Sequence, residues 1–185
     1  MTAANEQQLI LHVKEGSHEA FRFLVERYMK QAYNIAYGFV KDHNDAEDIA
    51  QESFVRVYQS INSFRGDAGF STWLYRIVTN LSFNHLRQKK NSTKLNVQLM
   101  NSAIPYTYNN PTEDHLQDVR IILERELHKL PTLQRAVVIL RHLNGLSTKQ
   151  VSTILRCSEG TVKTHLHRGL KKMKAKMILL KDEVI

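Results

Sequence analysis

The sequence predicts an all-α protein built as two small helical domains joined by a flexible linker, and three observations predict it. Glycine and proline number only seven and three in 185 residues, well under the roughly 12% of average usage, which favours long helices over turn-rich strands. Apolar residues recur at three- and four-residue steps through most of the chain, the period of a helix with one buried face. Between Asn91 and Pro111 that period fails. Asn91, Asn96, Asn101, Asn109, Asn110, Pro105 and Pro111 crowd there instead, which is linker composition. The expected division is residues 1–91, a linker at 92–112, and residues 113–185.

Four helices are expected before the linker. The first lies near residues 5–14. The second runs from Ser17 to about Lys41, with Phe21, Leu24, Val25, Tyr28, Ala32, Ile35, Ala36 and Phe39 on its apolar side. The third starts after Asn44, a candidate N-cap with Glu47 three residues on, and ends near Ile61. A loop carrying Gly66 and Gly69 follows, and Ser71 is expected to cap a helix reaching about Lys90. Beyond the linker, helices are expected at 113–129, 132–143, 148–155 and 159–179. Gly145 sits just past one helix end, and Ser147 with Gln150 makes a capping box for the next.

Charge is distributed unevenly. Lys and Arg total 26 against 18 Asp and Glu, a net +8. No acid occurs between Asp67 and Glu113, where Arg76, Arg87, Lys89, Lys90 and Lys94 fall. The stretch after Glu159 repeats this, with Lys163, Arg168, Lys171, Lys172, Lys174, Lys176 and Lys181 before Asp182. The opposite sign gathers at Asp42, Asp45, Glu47, Asp48 and Glu52. Two basic blocks suit two contacts with a polyanion, and the acidic block suits a third surface with a basic partner.

Helical faces sharpen this. On the third helix, Ala46, Ile49, Ala50, Phe54, Val57, Tyr58 and Ile61 share one side, while Asp45, Asp48, Glu52, Val55 and Gln59 fall on the other. An acidic face containing an apolar valine is a docking surface or an ordinary solvated face; periodicity leaves both open. On the fourth helix, Leu74, Ile77, Val78 and Leu81 form a core stripe. A separate face carries Trp73, Arg76, Asn80, Phe83, Asn84 and Arg87. Rings stack on unstacked bases, Asn reads base edges and Arg neutralises phosphate. Core packing is the competing role for Trp73 and Phe83. Residues Ser147–Leu155, a turn at Arg156–Glu159, and the helix after it form a helix-turn-helix pattern. Thr161, Thr164, His165, Arg168, Lys171 and Lys172 project from the other side of its second helix, a set that a major groove admits; a plain amphipathic basic helix is the competing reading.

Catalytic chemistry finds no support. His165 and His167 point about 200° apart on a helix and cannot share a metal. Cys157 is the single cysteine, which excludes an internal disulfide and a cysteine-built zinc site. No glycine-rich phosphate loop is present. No catalytic residue, metal site or cofactor is expected. The longest run of large apolar residues is four, as at Val137–Leu140, far below the ~20 that span a bilayer. Residues Met1–Gln8 lack a signal pattern. A cytoplasmic protein with no direct membrane insertion is expected. A free-standing helix-turn-helix regulator and a nucleic-acid enzyme with a carboxylate metal site are the other function classes compatible with a basic helical chain.

The segments Asp45-Ala-Glu-Asp-Ile-Ala-Gln-Glu-Ser-Phe-Val-Arg-Val-Tyr58, Phe64-Arg-Gly-Asp67 and Phe70-Ser-Thr-Trp-Leu-Tyr-Arg-Ile-Val-Thr-Asn80 resemble region 2 of bacterial extracytoplasmic-function sigma factors of the sigma-70 family. Leu130-Pro131, Gly145-Leu-Ser147 and Gly160-Thr-Val-Lys-Thr-His-Leu-His-Arg-Gly-Leu170 resemble region 4. The resemblance spans nearly the whole chain outside the linker and the extreme ends. It implies a sigma factor that binds core RNA polymerase, through its largest and second-largest subunits, and directs promoter-specific initiation. Asp45, Asp48, Gln51, Glu52 and Val55 would dock on the polymerase clamp. Phe64, Arg65, Gly66, Asp67, Phe70, Trp73, Arg76, Asn80, Phe83, Asn84 and Arg87 would capture and melt the −10 element. Ser158, Gly160, Thr161, Lys163, Thr164, His165, Arg168, Lys171 and Lys172 would contact the −35 element. Promoter DNA and an anti-sigma factor are the remaining implied partners. Ser158 stands where members often have Pro, and Lys163 and His165 replace arginines of the usual reading helix; these departures bear on base preference more than on fold.

Overall fold

The computed structural model describes residues 3–97 and 123–183, and all regular structure among them is helical. The order is α1 (Ala3–Lys14), α2 (His18–Val40), α3 (His43–Ser60), a 3₁₀ turn (Ile61–Ser63), α4 (Phe70–Val97), α5 (123–129), α6 (Thr132–Val137), α7 (Thr148–Leu155) and α8 (Glu159–Glu183). The linker residues 98–112 and the first part of the helix expected from Glu113 lie outside the described residues.

Local chemistry sets the boundaries. Ser17 caps α2 by accepting the Ala20 N–H at 3.2 Å. Lys41 ends the helix in the left-handed conformation, φ 59°. The next helix therefore begins at once, and its cap is Asp42, which accepts the Asp45 N–H at 2.9 Å. The expected cap Asn44 lies inside α3 instead. The same early start occurs at α4: Gly69 accepts from Thr72 and Trp73, so Ser71 is already within the helix. At its far end α4 continues to Val97, past Lys90 where the apolar period stops. No Gly or Pro intervenes before Pro105, and extending an existing helix is far easier than nucleating one.

The N-terminal unit packs α2, α3 and α4 around Leu24, Ile35, Phe39, Ala46, Phe54, Val57, Phe70, Leu74 and Val78, with α1 laid against α2 and the 3₁₀ turn. Each large apolar side chain buried there contributes roughly 1.5–3 kcal/mol relative to exposure. Buried Ser53 and Ser82 satisfy their hydroxyls on the Ile49 and Val78 carbonyls, one turn back. In the C-terminal unit, Leu127, Leu130, Val137, Val138, Leu140, Leu146, Val151, Ile154 and Val162 pack together.

Here α6 passes into a π-helical turn, Val138–Leu143, where the sequence predicts unbroken α-helix. The Ile139 carbonyl accepts both the backbone N–H of Asn144 at 3.0 Å and its side-chain Nδ2 at 2.8 Å. A five-residue closure of this kind widens the helix and turns Ile139 toward α2. At that seam Gly38 lets α2 approach: a Cβ there would stand 2.8 Å from Ile139 Cγ2. Gln31 donates to Asn144 Oδ1 at 3.1 Å, and Lys41 pairs with Glu124 at 3.1 Å. The two units thus share one continuous core. Within the C-terminal unit Gly169 does the same for α8, its Cβ position being 3.0 Å from Val138 Cγ2.

Candidate nucleic-acid interface

The acidic face of α3 is only partly available. Asp45 accepts from His85 Nε2 and Lys89 Nζ of α4, each at 3.0 Å. Partial burial would raise its pKa, but the Lys89 hydrogen bond and the charges of His85 and Lys89 outweigh this and hold the carboxyl below its ordinary value. Its charge ties α3 to α4. Glu52 is bonded to Arg56 at 2.8 Å yet half-exposed. Asp48 and Gln51 are exposed, and Val55 is 49% exposed. Tyr58, which periodicity assigns to the core side, is 40% exposed and stacks on His18 of α2, with ring centroids 5.8 Å apart. It extends this face onto α2. A seven-residue apolar pattern carries no signal for which flank of the stripe its last aromatic takes.

The second surface begins where the 3₁₀ turn ends. Phe64, half-buried, lies 5.1 Å from the Trp73 ring and 6.0 Å from Phe70. Arg65, Gly66 and Asp67 then project into solvent, with Gly66 at φ +83°, a conformation that favours glycine. Phe70 is a core residue, 1% exposed, wedged against Tyr28 at 5.4 Å and Trp73 at 5.9 Å. It underlies the loop without reaching its surface. Along α4, Trp73, Arg76, Asn80, Phe83, Asn84 and Arg87 fall within about 100° of arc at 100° per residue. Asn80, Asn84 and Arg87 are exposed, and Trp73, Arg76 and Phe83 half-buried. Phe83 turns edge-on to Phe39, 5.3 Å away. Burial of Tyr28 and Tyr75 beneath this layer, and Glu6 beside them, push both phenols up, Tyr75 to about 12. Both phenols stay protonated throughout the physiological range.

The third surface is α8. Its N-cap is Ser158, which accepts the Thr161 N–H at 3.0 Å and shares a hydrogen bond with the Thr161 hydroxyl at 2.9 Å. The serine that departs from the usual proline therefore closes the helix start. Arg156, φ 52°, makes the sharp turn from α7, whose capping box at Ser147 and Gln150 is formed as the spacing predicts. Gly160, Lys163, Thr164, Arg168, Lys171 and Lys172 are exposed, and Thr161 and His165 half-buried. The imidazole Nδ1 of His165 is buried and takes no partner among the described residues. Thr161, Thr164, Arg168, Lys171 and Lys172 share one face. Lys163 stands about 140° round the helix from Arg168 and is not brought together with them.

Among the described residues no three His, Cys, Asp or Glu side chains cluster as a metal site, and no helix is long and apolar enough to cross a membrane. Burial raises the Cys157 thiol pKa, which makes it less nucleophilic near neutrality.

Two family models match the chain. That of sigma-70 region 2 matches residues 24–92, and that of sigma-70 region 4 matches residues 120–173. The ECF RNA polymerase sigma factor SigW of Bacillus subtilis is 36% identical over 168 residues, covering 86% of this chain and 90% of that protein. The RNA polymerase sigma-H factor of Pseudomonas aeruginosa is 31% identical over 177 residues, covering 91% and 92%. Among solved structures, CnrH in complex with the cytosolic domain of CnrY superposes with a TM-score of 0.71 at 23% identity, covering 94% of this chain and 97% of that one. The sigma factor RpoE of Bartonella quintana, solved with the anti-sigma factor NepR, gives 0.66 at 20% identity, covering 84% and 94%. These two share its fold. On the two matched regions and the identity to SigW, the chain belongs to the extracytoplasmic-function sigma factors of the sigma-70 family, which direct promoter-specific initiation of transcription.

Proposed function

We propose a division of the work among the three surfaces. The exposed part of α3, Asp48, Gln51, Glu52 and Val55, docks on core RNA polymerase, with Asp45 holding α3 in place. Loop 64–69 and the Trp73–Arg87 face of α4 capture an unstacked base of the −10 element and hold the opened strand. The face of α8 bearing Thr161, Thr164, Arg168, Lys171 and Lys172 enters the major groove at the −35 element, with His165 at its edge and Lys163 on flanking phosphate. The domains are residues 1–91 and 113–185. The chain acts by binding rather than bond chemistry, in the cytoplasm, and an anti-sigma factor opposes it by covering these faces.

The observation that carries this reading is the segregation of sign and ring. Exposed acid and valine lie on α3, aromatics with Arg and Asn on α4, and on α8 the exposed bases Lys163, Arg168, Lys171, Lys172 and Lys174 follow Glu159 with no acid among them. Energetics support it. Opening a few base pairs costs about 1.4 kcal/mol per stacking step, while one base stacked on an aromatic returns roughly 1–3 kcal/mol. The chain by itself therefore leaves duplex closed, and melting requires the polymerase that α3 engages.

Pull-down of core polymerase tests the assignment. Asp48→Arg with Glu52→Arg is expected to weaken core binding on the order of 100-fold, because two contacts become like-charge clashes. Equal binding by variant and wild type would overturn the docking role.

A further inference from the structure

The loop assigned to base capture is rooted by a residue that lies outside the segment matched by the region 2 family model, residues 24–92. Lys14, in the last turn of α1, reaches across to donate from Nζ to the Phe64 carbonyl at 2.7 Å. That is the length of a charge-assisted bond. The same ammonium stands 6.0 Å from the Phe64 ring centroid. Among the described residues Lys14 makes no ion pair. Its charge is directed at one backbone oxygen fifty residues away.

Phe64 is held in two other ways. Its N–H donates to the Ile61 carbonyl at 3.0 Å, and its ring packs on Trp73 and Phe70. With N–H and ring fixed, the remaining freedom at this residue is the rotation ψ, which sets the peptide plane joining it to Arg65. The direction of the carbonyl is that rotation. The next three residues, Arg65, Gly66 and Asp67, are exposed. Fixing the oxygen therefore sets the course on which the chain leaves the aromatic layer. We propose that Lys14 is a positioning residue for the −10 loop, holding the peptide after Phe64 so that loop 65–69 is shaped before single-stranded DNA arrives. This rests on the assignment of the loop to the −10 element. A preshaped loop loses less conformational freedom on capture, so its contribution appears as affinity for the single strand.

The test uses holoenzyme assembled from the full chain and a fluorescein-labelled single-stranded 12-mer, selected once from a random pool on the wild-type holoenzyme. Lys14→Met keeps the stem and removes the donor; Lys14→Arg restores a donor. The Met variant is expected to bind the 12-mer about three- to tenfold more weakly, the net worth of one ordinary hydrogen bond, because what is lost is the loop's order and not a contact to DNA. Core affinity and the salt dependence of 12-mer binding stay unchanged, and the Arg variant recovers most of the loss. Unaltered 12-mer affinity in the Met variant would overturn the proposal. So would a salt slope lower by about one, which marks a direct phosphate contact. Val13→Ala, at a buried neighbour 3% exposed, controls for loss of stability. If it weakens the 12-mer equally at equal melting temperature, Lys14 is merely structural. Asn80→Ala and Trp73→Ala separate the underlying reading: normal 12-mer binding by both sinks the −10 assignment on which the loop's role rests, whatever Lys14 does.

Discussion

The two faces proposed to bind nucleic acid are built on opposite plans. That of α4 rises out of the core: Phe64, Trp73 and Phe83 are half-buried and stand on Phe70, Tyr28, Tyr75 and Phe39. That of α8 stands off its core: Thr164, Arg168, Lys171 and Lys172 are exposed and make no ion pair among the described residues. The difference follows from the two tasks. A surface that replaces the stacking partner of a base must itself be a rigid stack, and rigidity comes from the layer beneath it. A surface that reads an intact groove needs only side chains of the right reach on a firm helix. Stability and function are therefore entangled at α4 and separable at α8.

The largest expected effect tests the entangled side. Trp73→Ala removes a ring from the aromatic layer and should destabilise the fold by about 2–4 kcal/mol, since part of the side chain is already solvated. It should also impair open-complex formation more than closed-complex binding, read by permanganate reactivity of the promoter. Asn80→Ala, on the exposed side of the same face, should leave the melting temperature alone and still reduce opening. If both variants melt promoter normally, neither residue belongs to the site.

A smaller effect is expected on α8. Arg168→Ala should weaken −35 duplex binding by about tenfold with no change in melting temperature. Loss of preference among −35 sequences identifies a base contact, whereas uniform weakening with a lower salt slope identifies phosphate. A fall in melting temperature of several degrees would show that function and stability are entangled at α8 as well.

The smallest effect distinguishes the units by pH. Burial lowers the His128 pKa below 6.5, helped by the charges of Arg135 and Lys41 and opposed by Glu124. A lowered folded value means that stability is complete above pH 6.5 and declines as pH falls below it, when the unfolded chain takes up the proton first. In the N-terminal unit Asp45 has its own value lowered from 3.8, so its clasp to His85 and Lys89 persists until pH drops below about that value. Between these limits His128 in the C-terminal unit is the group expected to lower stability, and the shared core carries that loss to the whole chain. Melting curves at about pH 7.5 and about pH 5.5 should show a drop for wild type and a lesser one for His128→Gln.

Much of this was legible in the sequence, because helices declare themselves through period and caps. The Ser147–Gln150 box and the acid-free blocks needed no coordinates. What escaped was whatever depends on a partner distant in the chain. Asp45 reads as a free acid until His85 and Lys89 fold over it. Phe70 reads as one of the residues that capture the −10 element until Tyr28 covers it. The π turn is invisible because its cause, Asn144 bonding back to Ile139, alters no apolar spacing.

The close approach of Gly38 to Ile139 has a thermodynamic consequence. Because α2 and the π turn meet across one shared core, the two units should unfold in a single cooperative transition, each raising the melting point of the other. Separating them exposes Ile139 and its neighbours to water. Any partner that holds the units apart is thus measured at an affinity reduced by the fraction of molecules already open. The strength of that seam sets a threshold that such a partner must exceed, and a single methyl at position 38 would lower it.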